Sequence, residues 1–212
     1  MSSTKKPMGT TLYALLGLLS IKDWTTYELA AQMDRGLSKF WPRARSNVFE
    51  GPKKLVALGL ATAKKERVGK RSRTVYSITP AGRRALARWL PTPGEPPVLE
   101  WEQLVKVFFA ENGTKAGLLA TLTSMREWSE EQRKHHRDRA RSYLDGEGPF
   151  PERMPIHGLV GSFLGDFADL VGAWAARSAA IVDEWPEDIR TAAPDWATFE
   201  RFATTDGRSP SA

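Results

Sequence analysis

The 212 residues are 41% hydrophobic and 26% charged, as in a soluble globular chain of one or two domains. The absence of cysteine excludes disulfide bonds and thiolate metal sites and fits a reducing cytoplasm. Residues 1–90 carry 18 Lys and Arg against 5 Asp and Glu, a net charge of +13, whereas residues 91–212 carry 13 against 20, a net charge of −7. Such a basic surplus favours a polyanionic partner, and nucleic acid is the usual one. The alternative is a basic face that only solubilises the chain.

The uncharged run PMGTTLYALLGLLSI, residues 7–21, predicts a buried first helix. The lysines before it, Lys5 and Lys6, give it the outline of a signal peptide, but no small-x-small cleavage site follows. The run is also shorter than the roughly 18 to 20 apolar residues that span a bilayer. Leucines at helical spacing define its inner face: Leu12, Leu15, Leu16, Leu18 and Leu19.

A second helix is predicted over TYELAAQM, residues 26–33. Thr25 and Thr26 offer side-chain oxygens for its N-cap. Its inner face is expected to hold Leu29, Ala30 and Met33. Both helices are short, unlike those predicted after residue 97.

The third element, RARSNVFEGPKKLVAL (residues 43–58), combines four cations and one acid with an apolar run, and predicts a DNA recognition helix. Asn47 and Glu50 have capping-box spacing, so the regular helix is expected to begin at Asn47. Pro52 would then lie about one turn inside the helix, where it removes one hydrogen bond and bends the axis. The Gly51-Pro52 pair is therefore interpreted as shaping the groove-facing end.

The two halves of this helix are expected to have different roles. Leu55, Val56 and Leu58 anchor the C-terminal half, and Gly59 ends it. The N-terminal half presents basic and polar side chains to a major groove. The candidate DNA-contacting residues of this element are Arg43, Arg45, Ser46, Asn47, Lys53 and Lys54. The alternative is an irregular loop over residues 46–52 before a short surface helix.

A β-hairpin is predicted next, because residues 61–67 and 73–78 flank the turn-like pentapeptide VGKRS. Cations at or beside its tip are candidate contacts to DNA backbone or a minor groove: Lys70, Arg71 and Arg73. Thr79 as N-cap and Pro80 at the first helical position then begin a fourth helix. Three helices, a hairpin and a helix predict a winged helix-turn-helix DNA-binding domain over residues 1–90.

The segment PTPGEPP, residues 91–97, is predicted to be a linker, because its prolines cannot continue a helix. Residues 98–203 predict an all-α dimerisation domain with helices over 99–111, 114–144 and 156–185, and residues 204–212 a disordered tail. In the first helix the residues expected to face inward are Leu104, Val105, Phe108 and Phe109. In the third, an apolar stripe beside Gly161-x-x-x-Gly165 is expected to contact a partner helix through Phe163, Phe167, Leu170 and Trp174.

Two segments, FWPRARSNVFEGPKKLVALGL and RTVYSITPAGRRAL, resemble the PadR-type winged-helix transcriptional regulators. That family has a Tyr-x-Leu-Thr-x-x-Gly-like junction after its wing, matched here by Tyr76, Ile78, Thr79 and Gly82. The resemblance covers residues 10–90 and, more loosely, FFAENGTK and YLDGEGPFPERM of the subgroup with a long helical C-terminal domain. The chain departs from the family at residues 49–52, where Phe-Glu-Gly-Pro replaces the usual Tyr-Pro-Ala-Leu. Contacts of that tyrosine hydroxyl therefore do not carry over.

Signals of an enzyme are few, because the sequence has no Gly-rich phosphate loop and no Gly-x-Ser-x-Gly. The group His135, His136 and Asp138 suggests a metal site only weakly, because adjacent histidines of a helix point apart. Asp166 and Asp169 are interpreted as solubilising the edge of an apolar stripe rather than as paired catalytic carboxylates. The eight tryptophans are expected to be mostly core, with an aromatic effector pocket as the alternative, since the resemblance implies that relatives respond to small molecules.

The sequence thus predicts a mainly α protein without enzymatic activity, metal or other cofactor. We expect a cytoplasmic, homodimeric DNA-binding repressor of an inverted-repeat operator, with a small aromatic effector as a candidate ligand and no membrane partner. An adaptor protein that binds an acidic protein surface is the alternative, and a helical enzyme is a third hypothesis.

Overall fold

A computed structural model describes residues 8–42, 49–68 and 71–204 of the chain. The chain divides into two compact units, residues 1–97 and residues 98–212, and each is considered by itself. The fold is mainly helical with one small antiparallel sheet, in a winged-helix N-terminal unit and a helical C-terminal unit. The predicted fold class is therefore confirmed.

The described residues of the N-terminal unit form four α-helices and three strands. The helices are α1 (Thr10–Ile21), α2 (Thr26–Gln32), which continues into a π-helical turn at Met33–Leu37, α3 (Gly51–Ala57) and α4 (Pro80–Trp89). The strands are β1 (Trp24–Thr25), β2 (Ala61–Val68) and β3 (Arg71–Ile78), in the order β1-β3-β2. The predicted hairpin is confirmed, and the two-residue strand β1, which no sequence pattern indicated, pairs with β3.

Hydroxyl caps fix the beginnings of α2 and α4, as the sequence predicted. The Thr25 hydroxyl accepts a hydrogen bond from the Glu28 amide at 3.2 Å, and the Glu28 carboxylate accepts one from the Thr25 amide at 2.8 Å. The Thr25 hydroxyl also donates to this carboxylate at 2.8 Å, and the two bonds that Thr25 donates hold the pKa of the Glu28 carboxyl below its ordinary value. Thr79 caps α4 in the same manner, accepting from the Gly82 amide at 3.0 Å.

Helix α1 supplies much of the core of the N-terminal unit. The fully or almost fully buried apolar residues are Leu15, Leu16 and Leu19 of α1, Trp24, Leu29, Met33, Leu55, Ala61 and Tyr76. Tyr13 of α1 also stacks on Trp89 of α4, with ring centroids 4.6 Å apart and planes 4° apart. The first and last helices of the N-terminal unit, α1 and α4, are thereby packed against each other.

The start of α3 differs from the prediction. The helix begins at Gly51, with Glu50 before it as a residue that makes no side-chain cap, so Glu50 is not at the third helical position that the predicted capping box requires. Asn47 itself lies outside the described residues. Pro52 occupies the second helical position, where an amide would have no intrahelical partner, so it neither removes a hydrogen bond nor bends the axis.

Gly51 and Pro52 also face inward rather than toward the exposed end of the helix. Both are buried, and a Cβ at Gly51 would lie 2.2 Å from Cδ1 of Leu15. Their role is therefore close packing of α3 against α1. Of the expected anchors, Leu55 is fully buried, whereas Leu58 is 41% exposed.

The C-terminal unit is built on two long antiparallel helices, α6 (Lys115–Leu144) and α7 (Met154–Asp183), with the shorter α5 (Glu102–Phe108) before them and α8 (Trp196–Thr204) after them. Leu118, Leu122 and Met125 of α6 form its core with Val171, Ala175 and Val182 of α7. The two helices approach closely at small residues. The buried Ser129 hydroxyl donates to the Ala168 carbonyl at 2.7 Å, and a Cβ at Gly172 would lie 2.4 Å from the Ser129 hydroxyl.

Helix α5 is shorter than predicted, and its expected inner face is mostly exposed. Leu104 packs against the core, but Val105, Phe108 and Phe109 are 54%, 76% and 54% exposed. The reason is that α5 spans only seven residues, and it contacts α6 through Trp101, Leu104 and Val107 instead.

Residues 151–183, which include α7, are the one described segment long and apolar enough to cross a membrane by length and hydropathy. A core helix of a soluble protein passes the same test. One side of α7 packs against α6 through buried Ala168, Val171, Ala175 and Val182.

The close approach at Gly82 gives a test of the N-terminal fold. A Cβ there would lie 2.1 Å from the Leu60 carbonyl oxygen, so Gly82→Ala should lower the free energy of unfolding by about 1 to 3 kcal/mol. Gly17→Ala is the control, because a Cβ in that part of α1 meets nothing within 4 Å and alanine favours a helix. Urea denaturation followed by circular dichroism measures both, and equal midpoints for the two variants would contradict the described packing.

Candidate nucleic-acid interface

The exposed face of α3 is basic because its other face is packed against α1. Gly51, Pro52 and Leu55 are buried, and the two residues between them in sequence, Lys53 and Lys54, are exposed. Lys53 and Lys54 follow Pro52 by one and two residues, so they lie on a different face of the helix from Pro52 and Leu55. Burial of the face with Pro52 and Leu55 therefore leaves both lysines facing outward. Both side chains are exposed, and their contact with DNA stays a prediction.

An acid stands beside these lysines. The Lys53 ammonium donates to Oε1 of Glu50 at 2.8 Å, and both side chains are largely exposed, at 63% and 62%. The hydrogen bond and charge of Lys53, helped by the charge of Lys54, hold the pKa of the Glu50 carboxyl below its ordinary value. The same pair raises the pKa of Lys53. Solvent screening keeps the contribution of such a pair to stability small.

The hairpin carries cations on both faces. Tyr76 of β3 is paired with Ala63 of β2, and paired residues share a face of the hairpin. Lys65 and Arg67 lie two and four residues after Ala63, so they are on the same face as the buried Tyr76 but nearer the tip. Glu66 and Arg73 are directly opposite each other on the other face.

That opposite pair forms an ion pair. An Arg73 nitrogen, Nη2, lies 3.0 Å from Oε2 of Glu66, and the Lys64 ammonium lies 3.8 Å from its other oxygen. Arg73, predicted as a DNA contact, is therefore partly neutralised within the hairpin. The sequence did not single out Glu66, because counting outward from the predicted five-residue turn places Arg67 opposite Arg73, whereas only two residues separate β2 from β3.

The predicted DNA-contacting residues fall into two groups. Lys53, Lys54 and Arg73 are described and exposed, with the lysines on α3 and the arginine on β3. Five of the others lie outside the described residues: Arg43, Arg45, Ser46, Asn47 and Lys70. The backbone of Arg71 belongs to β3, but its side chain is not described. The described interface thus consists of the outer face of α3 and the two faces of the hairpin.

The residues considered for metal binding or catalysis have other partners. His135 Nδ1 is 2.9 Å from the Glu131 carbonyl oxygen one turn earlier, and Asp169 is paired with Arg133 across α6 and α7. Within the described residues no group of three or more His, Asp or Glu is placed to hold a metal ion. The pair Asp166 and Asp169 therefore has the geometry of a solvated edge rather than of two facing carboxylates.

The tryptophans pack rather than line a cleft. Trp24 is buried in the N-terminal unit, and Trp101, Trp128, Trp174 and Trp185 pack against the core of the C-terminal unit. A cleft of about 230 Å³ between α6 and α7 is instead lined by Arg126, Ser129, Glu130, Arg133, Gly172, Ala173 and Ala176. None of these four C-terminal tryptophans lines that cleft.

The predicted dimerisation stripe of α7 divides into two sets. Phe163 and Leu170 are 65% and 60% exposed. Phe167 and Trp174 are half-buried and pack against the core of their own chain, Phe167 with its ring centroid 6.1 Å from that of Trp128. Toward the beginning of α7 the exposed apolar surface continues through Ile156, Leu159 and Val160.

The glycines beside the stripe also differ from each other. A Cβ at Gly161 would meet nothing within 4 Å, whereas one at Gly165 would lie 3.5 Å from Nδ1 of His136. Only Gly161 therefore has the open space that a second backbone would need.

Together, a three-stranded winged helix-turn-helix with a basic outer face and a helical C-terminal unit are typical of winged-helix transcriptional regulators. The family model "Transcriptional regulator PadR-like family" matches residues 15–88, and the resemblance found in the sequence is confirmed: this part of the chain is a PadR-like domain. No curated protein sequence matches the chain.

Solved structures of PadR regulators have the same fold over most of this chain. Bacillus subtilis PadR in complex with operator DNA has a TM-score of 0.73 and 21% identity, over 84% of this chain and 99% of that one. The same regulator in complex with p-coumaric acid has a TM-score of 0.66 and 20% identity, over 83% and 100%. The PadR-like transcriptional regulator BC1756 from Bacillus cereus has a TM-score of 0.65 and 18% identity, over 85% and 99%. At these identities the likeness establishes the fold alone.

The family junction after the wing has a physical explanation in this chain. Tyr76 is buried in the core, and the Thr79 hydroxyl donates to the Gly59 carbonyl at 2.8 Å while it caps α4. Gly82 allows α4 to approach the Leu60 carbonyl, and Gly59 adopts a positive φ of 69° to bring that carbonyl into place. The motif fixes the wing, α3 and α4 relative to one another.

The ion pair at the start of α3 can be tested by titration. Lys53→Gln should raise the pKa of the Glu50 carboxyl toward its ordinary value, because the Lys53 hydrogen bond is the largest cause of its depression. Lys54→Gln is the matched control and should raise it less, since Lys54 acts only through its charge. NMR titration of the Glu50 side-chain carbon measures both, and equal shifts in the two variants would contradict the described pair.

Proposed function

We propose that the protein is a sequence-specific DNA-binding repressor that binds an inverted-repeat operator as a homodimer in the cytoplasm. The observation that carries the proposal is the basic, exposed face of α3 on a PadR-like winged helix, with Lys53 and Lys54 outward and the opposite face anchored on α1. A helix held in this way can enter a major groove while the hairpin reaches the flanking backbone. Residues 1–90 are the DNA-binding domain, residues 98–203 the dimerisation domain and residues 91–97 the linker.

The charge distribution supports a polyanionic partner for the N-terminal unit. Of the five acids of residues 1–90, Glu28 belongs to a helix cap, while Glu50 and Glu66 are paired with neighbouring cations. The basic surplus of residues 1–90 is therefore not cancelled by a separate acidic face within that half. Binding should release counterions from DNA and fall steeply with salt.

The exposed apolar residues of the C-terminal unit support homodimerisation. Phe163 and Leu170 lie on the same helix as the exposed Ile156, Leu159 and Val160, and water-exposed apolar surface of this extent marks an interaction site. A two-fold dimer is the commonest closed solution, and it gives an operator with two-fold symmetry. Two winged helices would then bind half-sites roughly 34 to 36 Å apart or at multiples of that distance.

A small aromatic acid is the proposed class of effector. The support is the structural likeness to Bacillus subtilis PadR, which has been crystallised with p-coumaric acid as well as with operator DNA. Binding of the effector would shift the regulator from the DNA-bound to the free state if its affinity for the free state is higher. The tryptophans that pack in the C-terminal core are not assigned to this site.

The DNA-binding role predicts a specific decrease in salt dependence. Lys65→Gln/Arg67→Gln removes two exposed hairpin cations, so the slope of log K against log salt should fall by about 0.9 unit for each phosphate that these cations neutralise. Arg126→Gln/Arg177→Gln, with the same charge change in the C-terminal unit, should leave the slope unchanged. The duplex is first obtained by selection from a random pool. A shallow slope for the unmodified protein would favour the adaptor hypothesis, in which the partner is an acidic protein surface.

The dimer predicts a loss of operator binding without any change at α3. Phe163→Asp/Leu170→Asp places two charges on exposed apolar positions of α7, where the folded monomer tolerates them but an apolar interface would not. Sedimentation should show a monomer with weakened operator binding. Ser162→Asp adds a charge at an adjacent exposed position and should remain dimeric. A double variant that stays dimeric at micromolar concentration would show that the subunits pair through another surface. Phe167→Asp is a poorer probe, because Phe167 packs inside its own chain.

A further inference from the structure

Two residues before α3 are presented outward by the packing of the two that follow. Phe49 is 64% exposed, and the Glu50 side chain is 62% exposed. Gly51 and Pro52 are buried against α1. The buried pair thus fixes the backbone from which Phe49 and Glu50 project, at the end of α3 that a major groove would receive. These four positions are those at which the chain departs from the family pattern.

A carboxylate is an unexpected group on such a face. Duplex DNA carries one negative charge per about 1.7 Å of axis, so an acid near it weakens binding to every sequence unless it gains a compensating contact. Glu50 is ionised at neutral pH, as any exposed glutamate is, and the Lys53 hydrogen bond lowers its pKa further. An ionised carboxylate only accepts hydrogen bonds, and its fitting partner on DNA is a base amino group.

The Lys53 contact leaves one oxygen of Glu50 for such a partner. The ammonium bonds Oε1 at 2.8 Å, while Oε2 can accept a further hydrogen bond. The ion pair restricts the rotamers of an otherwise exposed side chain and offsets its charge against nearby phosphates. A cytosine in the major groove presents its N4 amino group as a donor, whereas adenine presents the acceptor N7 beside its N6 amino group, which would repel a carboxylate.

We propose that Glu50 is a specificity residue that accepts a hydrogen bond from the N4 amino group of an operator cytosine, with Lys53 as the residue that positions its carboxylate. Phe49 contacts the methyl group of a neighbouring thymine, the apolar feature of the major groove. This inference rests on the proposed function, in which α3 reads the operator. It assigns base recognition to two residues that are specific to this chain rather than to the family pattern.

The test compares sequence preferences selected from a random duplex pool by the full-length protein and by Glu50→Gln. Glutamine has the same shape but pairs with adenine N6 and N7, so one position of each half-site should change from cytosine to adenine. Discrimination on the original operator should fall by about 5- to 150-fold, equivalent to about 1 to 3 kcal/mol at 1.4 kcal/mol per tenfold. Thermal unfolding of the variant confirms that it is folded.

Glu66→Gln is the matched control. It also neutralises an acid that is paired with a cation in the same unit, but on the hairpin, where the Glu66 side chain is half-buried. It should leave the selected sequence unchanged, with equal or tighter binding to every duplex. If Glu50→Gln behaves in this way too, Glu50 serves only to hold Lys53 and the inference is wrong. A protein that selects no sequence at all would overturn the proposed function as well, so the two failures are distinguishable.

The thymine contact has its own probe. Replacing operator thymines one at a time by deoxyuridine removes only the methyl group, and one such replacement per half-site should weaken binding by the unmodified protein. Phe49→Ala should bind that duplex and the thymine duplex equally. If no single replacement distinguishes the two proteins, Phe49 does not read a methyl group.

Discussion

The contact between Gly51 of α3 and Leu15 of α1 determines which side of α3 is free. A side chain at residue 51 would require the Leu15 side chain to shift, so glycine favours the close approach, and Pro52 is buried beside it. Because α3 has only seven residues, burial at 51, 52 and 55 leaves Lys53 and Lys54 no alternative to the outer face. The electrostatic character of the surface therefore follows from one steric constraint in the core, and a change at residue 51 or 15 would reorient the basic face as well as destabilise the unit.

The C-terminal unit depends on a comparable constraint with a different outcome. Ser129 and Gly172 let α6 and α7 approach closely, and the buried side of α7 is accordingly made of small and medium residues such as Ala168 and Ala175. The large residues of α7 cannot all be used inside, since this side is already filled. Phe167 finds room beside Trp128, whereas Phe163 and Leu170 remain exposed. A tight internal helix pair thus leaves the larger apolar side chains for an external partner.

Local chemistry could be predicted from the sequence wherever a few neighbouring residues suffice. The caps at Thr25 and Thr79 and the hairpin are of this kind, because hydrogen bonds and turn residues within a few positions determine them. The start of α3 was not predictable from spacing, since the capping-box spacing of Asn47 and Glu50 places Glu50 inside the helix, whereas the helix begins only at Gly51. Strand β1 has two residues and exists only through its pairing with β3. Periodicity identified the apolar residues of α7, but it cannot distinguish a side that packs on its own chain from one that meets a partner. Residues 43–48 lie outside the described part, so the contacts of Arg43 and Arg45 remain predictions.

The ion pairs on the N-terminal unit connect its charge with selectivity. Lys53 and Arg73 each have an acid within hydrogen-bond distance, so the effective charge of the outer surface is lower than the number of its cations indicates. Attraction to phosphates is the same for every sequence, and a genome offers a large excess of nonspecific sites, so the ratio of specific to nonspecific binding determines occupancy of an operator. Reducing the uniform attraction improves that ratio even if total affinity falls. An acid such as Glu66 on the hairpin only repels phosphates, which weakens binding to every sequence. An acid at the start of α3 also repels phosphates, but it can in addition accept a hydrogen bond from a base and so strengthen binding to the operator. The position of an acid on this fold, rather than its charge, therefore decides whether it only tempers binding or also selects a sequence.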